Sequence, residues 1–185
     1  MQTAIKVVIF LSASAGIFQV SRRSLRSRRF HGFYRFFAWE TIVALLLLNP
    51  ERWFRRPSGW QQVTALGCVG ISSLLAIHGF QLLRKVGKPD VQRTDPALFW
   101  VERTTVLVTE GAYRYVRHPL YCSLFFLTWG VLLNFPSWPG AVLAAAAISC
   151  LIAAAKVEEK ENLDFFGGQY RDYMKRTKMF IPFII

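Results

Sequence analysis

Two short stretches of the chain carry residue types whose spacing could support chemistry. The first runs from Thr105 to Tyr121 and closes on Arg117-His118-Pro119-Leu120-Tyr121. A proline is tolerated in the first turn of a helix, where its missing N–H would find no partner anyway. Pro119 therefore predicts a helix start, with Arg117 and His118 at its entrance and Tyr121 one turn in. Backbone N–H groups at such an end can hold a carboxylate. Two readings of Arg117 and His118 stand level on physical grounds: groups that meet a ligand, or anchors of a helix at an interface. The second stretch, Lys156 to Tyr173, places Glu158, Glu159, Glu161 and Asp164 within seven positions. Glu158 and Glu161 share a helix face at i,i+3. Gly167 is placed to cap that helix, and Tyr170, Tyr173 and Met174 then make the apolar face of a short interfacial helix.

The elements that must position these stretches are apolar. Of the 185 residues, 53% are hydrophobic and 16 are phenylalanine, more than a single small domain can hide from water. The bilayer is the expected solvent, giving an all-α integral membrane fold of about five transmembrane helices. The spans run from about Ala4 to Val20, Phe33 to Leu48, Trp60 to Leu83, Pro119 to Phe135 and Ala141 to Val157. Pro136-Ser137-Trp138-Pro139-Gly140 turns the last two into a hairpin, which carries the acidic stretch back beside His118. The fifth span is rich in alanine, a composition that lets helix backbones approach closely in lipid. The 84–118 loop, the 119–157 hairpin and the C-terminal tail are expected to enclose one pocket, within a single membrane domain of residues 1–185. Residues 1–83 supply N-terminal helices and 84–185 the ligand-binding part.

A net charge of +12 would suit a nucleic-acid partner, but the basic residues fall in blocks between apolar runs, as in membrane-protein loops. The partners expected are the bilayer, including anionic head groups, and no nucleic acid. Six basic residues run from Arg22 to Arg35 around the first loop, seven from Arg84 to Arg117 and six from Lys156 through the tail, against Arg52, Arg55 and Arg56 between spans two and three. That bias predicts an outside N-terminus, a cytoplasmic C-terminus and a cytoplasmic pocket. Cys68, Cys122 and Cys150 form no metal-ligand cluster and read as buried hydrophobes. Arg35 is expected to snorkel to the inner interface. Glu40 is a weak site candidate, and His78 is expected to make a structural hydrogen bond.

The ordered string Gly111-x-Tyr113-x-x-x-Arg117-His118-Pro119-x-Tyr121, then Glu158-Glu159, Phe166-Gly167-x-x-Tyr170-x-x-Tyr173 and Ile181-Pro182, resembles the isoprenylcysteine carboxyl methyltransferase family. Related phospholipid methyltransferases share much of it. The resemblance covers residues 105–185 and implies S-adenosylmethionine as methyl donor, without a metal. Carried over by position, Thr105, Val106, Leu107, Val108, Tyr113, His118, Pro119, Leu120, Tyr121 and Glu158 would line the donor pocket, with Glu159 next in register. Arg117, His118 and Glu158 take the catalytic positions. Glu158 suits the donor's ammonium, and the tyrosines suit adenine or the sulfonium.

One departure bears on the acceptor. Prenylcysteine methyltransferases carry an arginine four residues before the cofactor glutamate, where this chain has Ala154. Lys156 lies about 200° round a helix from that position and is a poor substitute. Ala154 is expected on the wall of a cavity for an apolar or lipid-like acceptor with no free carboxylate. A sterol-type membrane reductase and a non-catalytic membrane scaffold are the alternatives.

Overall fold

The computed structural model describes residues 2–54, 59–90, 98–99 and 102–181. Arg55, Arg56, Arg93 and Pro182, used in the charge and motif readings, lie outside the described residues. Six α-helices follow in order: α1 Gln2–Ser21, α2 His31–Leu48, α3 Trp60–Lys85, α4 Pro119–Asn134, α5 Trp138–Phe166 and α6 Gly168–Arg176. Three of these, α1, α3 and α5, are long and apolar enough to cross a membrane, and α4 is a shorter apolar helix.

The helix ends follow local chemistry. Pro119 occupies the first turn of α4. Ser137 caps α5 by accepting the Gly140 N–H at 3.3 Å, with Pro139 in the first turn. At the other end Gly167 has φ +59°, a backbone that L side chains rarely adopt, and its N–H returns to the Leu163 carbonyl at 2.9 Å. Nothing between Gly140 and Gly167 breaks a helix, and the acidic stretch is made of strong helix formers. The fifth helix therefore runs nine residues past the expected end at Val157. Its 29 residues measure about 43 Å against a hydrocarbon core of about 30 Å, so the acidic turns project clear of the apolar layer.

The hairpin predicts α4 packed on α5. They do touch, but α5 makes its more extensive contact with α2, and α4 with α3. The small residues explain this: Ala154 and Ala155 share a buried cluster with Ala38 of α2, Leu151 and Tyr121, and Ala144 shares another with Leu45 and Val131. Large apolar side chains of α1 and α3, among them Val8, Leu11, Leu74 and Ile77, face outward, as lipid-facing surfaces do. On the inner side of α1, the Ser14 hydroxyl donates to Glu40 at 2.5 Å. Glu40, the weak site candidate, is thereby placed at a helix–helix contact.

Candidate active site

At the end of the bundle where α4 begins and α5 projects, a cleft encloses about 640 Å³ of space not filled by atoms, its open side included. Its walls come from the end of α3, the 98–117 segment, the first turn of α4, the projecting end of α5 and α6.

The segment leading into α4 is held in place by glycine and histidine. Gly111 has φ +56°, and a Cβ there would lie 2.5 Å from His78 Nε2. The Ala112 N–H donates to that nitrogen at 3.4 Å, the structural hydrogen bond expected of His78. From behind, the tail clamps the same segment. Tyr173 Oη donates to the Tyr113 carbonyl at 2.6 Å. The Arg117 N–H reaches the Lys178 carbonyl at 2.8 Å, and the Lys178 N–H the Tyr115 carbonyl at 3.2 Å.

Arg117 completes the clamp. Its Nε donates to Glu159 Oε1 at 2.5 Å, and its Nη1 to the Thr177 carbonyl at 2.5 Å. Burial alone would raise the Glu159 carboxyl, but the neighbouring His118 ring and Arg117 outweigh it and hold the group below its ordinary range. Arg117, placed in a catalytic position by the resemblance, lines the cleft and through these contacts ties α4, α5 and the tail together. Glu159, expected to meet the donor, faces this clamp and does not line the cleft.

Glu158 faces the cleft. Tyr121 Oη donates to its Oε2 at 2.6 Å, and His118 Nδ1 lies 3.8 Å from its Oε1. The His118 ring stacks on Tyr121 with centroids 5.4 Å apart. Its Nε2 is buried without a hydrogen bond, with Glu159 Oε1 at 3.5 Å. Burial and the Glu158 charge push the Tyr113 phenol well above its ordinary value, so it stays protonated.

Leu107, Val108, Tyr113, His118, Leu120, Tyr121 and Glu158 all line the cleft, as read from the sequence. Three others do not. Thr105 turns its hydroxyl to the Lys88 carbonyl at 2.9 Å, Val106 is exposed, and Pro119 is buried in the packing of α4. Ala154 also differs from expectation. It is fully buried where α5 meets α2 and lines neither the cleft nor the neighbouring cavity. A residue with so small a side chain, packed against Ala38 and Tyr121, has no surface left to offer an acceptor.

That neighbouring cavity, about 1000 Å³ with its open side, is mostly apolar and shares Glu102, Leu120 and Tyr121 with the cleft. Here Arg35 departs from the expected snorkelling. Its side chain is 4% exposed, and Nη1 donates to both Glu102 oxygens, at 2.7 and 2.8 Å. The guanidinium lies 4.0 Å from the Phe99 ring centroid and 5.3 Å from that of Trp39. An arginine at membrane depth is costly unless paired, and Glu102 supplies the pairing charge. Although burial would raise it, the Glu102 carboxyl is held well below its usual range by Arg35 and His31. His31 in turn meets Glu161 through Nδ1 at 2.5 Å. The sequence reading missed Glu102, Asn162 and Phe166 as lining groups. Arg35 itself was the signal, since an intramembrane cation demands a carboxylate from somewhere.

An all-helical membrane bundle with an acidic, tyrosine-rich cleft at one end defines a class, and comparison with known proteins narrows it. A family model described as phospholipid methyltransferase matches residues 60–169. The chain belongs to this family of membrane methyltransferases. It is 34% identical over 128 residues to the protein-S-isoprenylcysteine O-methyltransferase of Rattus norvegicus, covering 67% of this chain and 44% of the relative. It is 33% identical over 76 residues to the methanethiol S-methyltransferase of Crocosphaera subtropica, covering 41% of this chain and 29% of the relative. The protein-S-isoprenylcysteine O-methyltransferase B of Arabidopsis thaliana is 32% identical over 113 residues, 56% of this chain and 54% of the relative. The chain thus spans between under a third and about half the length of these relatives. No solved structure matches it significantly.

Proposed function

We propose that the chain is an S-adenosylmethionine-dependent methyltransferase that modifies an apolar or lipid-like acceptor at the cytoplasmic face of a membrane. One observation carries the reading. Of three glutamates in or behind the cleft wall, two are matched by arginines, Glu102 by Arg35 and Glu159 by Arg117. Glu158 has instead a tyrosine hydroxyl and a histidine ring. A cleft-facing carboxylate that no arginine pairs with is the complement of a cationic ligand, and the donor carries both an ammonium and a sulfonium.

In this reading Glu158 holds the ammonium, Tyr121 fixes the carboxylate's orientation, and the rings of Tyr113, His118 and Tyr121 face the rest of the donor. The bound donor supplies an activated methyl group. The protein's work is positioning and exclusion of water, for which a cleft walled by Leu107, Val108 and Leu120 is suited. Residues 84–185 form the donor-binding part of one membrane domain, and residues 1–83 supply helices against it. Five spans, an outside N-terminus and a cytoplasmic C-terminus complete the arrangement.

The acceptor reaches the shared wall from the apolar cavity beside α2 and α4. Acceptor chemistry is the point on which the named relatives differ: a carboxyl in some, a thiol in others. Calorimetry on the purified protein in detergent, without added metal, is expected to show binding of S-adenosylmethionine and of its demethylated product, and none of NADPH. Binding of NADPH alone would sink the proposal in favour of a reductase.

A further inference from the structure

We infer that the cavity bounded by Arg22, Arg23 and Arg103 holds the head group of an anionic phospholipid. It lies beyond the last turn of α1, at the same end of the bundle as the cleft, and encloses about 640 Å³ with its open side included. Gln19, Val20 and the Leu98–Phe99 pair complete the wall.

Three guanidiniums face this one space. Among the described residues none of them is in an ion pair, and Arg103 Nε is buried without a hydrogen-bond partner. The adjacent carboxylate, Glu102, is already committed to Arg35. Like charges brought together repel unless an anion lies between them, and guanidinium forks match phosphate oxygens in geometry as well as charge. A phosphate-bearing ligand satisfies the charges and the buried N–H together.

The surroundings select a lipid as the source of that phosphate. Leu11, Phe18 and Val20 of α1 are all more than half exposed and run from the membrane up to the cavity's rim, a track for acyl chains beneath the arginines. Basic pockets between helices at the interface are the usual seats of anionic head groups. Phe99 also lines the apolar cavity, and Leu98 lines the cleft, so the bound lipid would brace the wall both spaces share. The assignment is independent of the methyl-transfer reading, because its test reads lipid retention alone.

The full chain, reconstituted in phosphatidylcholine nanodiscs doped with phosphatidylglycerol, is released gently and its retained lipid counted by native mass spectrometry. One phosphatidylglycerol is expected to stay in preference to phosphatidylcholine. At about 1 kcal/mol per arginine near the surface, each loss weakens binding roughly fivefold. R22Q/R23Q, which alters only exposed side chains and so leaves the core intact, is then expected to weaken retention about 25-fold. R22Q/R23Q/R103Q is expected to weaken it about 125-fold. R26Q/R28Q/R29Q removes the same charge from arginines outside the cavity and is expected to change nothing. Equal loss in that control, or equal retention of both lipids, overturns the inference as diffuse attraction. Inorganic phosphate that binds the lipid-free protein as tightly and displaces the phosphatidylglycerol would show a free-anion site instead, and also overturns it.

Discussion

Glu158 and Glu159 are neighbours in sequence but face different tasks, and single substitutions should separate them. Glu158→Gln leaves the ion pairs intact and removes the carboxylate facing the cleft. Losing a charge-assisted hydrogen bond costs about 1.5–3 kcal/mol, so donor affinity by calorimetry should fall roughly 10- to 150-fold with the melting temperature little changed. Glu159→Gln leaves the Arg117 guanidinium buried without its counter-charge, a defect of about 3–5 kcal/mol, and should lower thermal stability well before it touches affinity. Equal, small effects of both on affinity would mean that the cleft does not bind a cation through Glu158. The acidic cluster, His118 and the tyrosines were legible in the sequence because each is an unusual residue in an apolar chain. Which glutamate faced inward was not, since 158 and 159 are separated by about 100° on a helix and only packing fixes the rotation. Ala154 failed for the same reason: spacing alone could not reveal that α2 covers that face of α5.

At the scale of elements, the segment from Gly111 to His118 is held open-ended by α3 and closed by α6. Gly111→Ala forces a side chain onto a backbone at φ +56° and against His78. In a tolerated conformation that replacement stabilises by up to ~1 kcal/mol; here it should destabilise the protein by more than that amount, read as a lowered melting temperature. The docking of α6 depends on an ionised Glu159, whose folded carboxyl is held below its ordinary value. A depressed carboxyl contributes stability that is present above the unfolded value of about 4.3 and lost as pH falls through the folded one. Protease cleavage in the tail around Arg176 is therefore expected to rise on acidification below that point and not between neutral and mildly alkaline pH. A flat cleavage profile across the acid range would assign the clamp to Arg117's carbonyl contacts instead. Helix starts and stops were readable from Pro119, Ser137 and Gly167. The pairing of α5 with α2 was not, because the hairpin tells which helices are consecutive and says nothing about which small faces fit.

Across the whole molecule, the charge bias and the cleft give an orientation that labelling can check. Single cysteines at Glu110 and Lys175, both exposed beside the cleft, should react with a membrane-impermeant maleimide only after the membrane is opened from the cytoplasmic side. A cysteine at Pro136, in the hairpin, should react from outside. The reverse pattern would invert the topology while leaving the cleft as described. That the chain spans a membrane was plain from composition, since apolar runs of this length admit few alternatives. The Arg35–Glu102 pair was out of reach, because it joins positions 67 residues apart through a loop with no periodic pattern of its own. The length of α5 has a further consequence. One unbroken rod carries both the alanines packed against α2 and, beyond them, Glu158, so whatever tilts the rod moves the carboxylate. A helix adapts to a thinner or thicker bilayer chiefly by changing tilt, and the Tyr121 hydroxyl is set on a separate, shorter helix that responds differently. The alignment of Glu158 with Tyr121 is thereby tuned to acyl-chain length: donor affinity should pass through a maximum across a series of phosphatidylcholines of increasing chain length, making the membrane's own thickness a setting of the site.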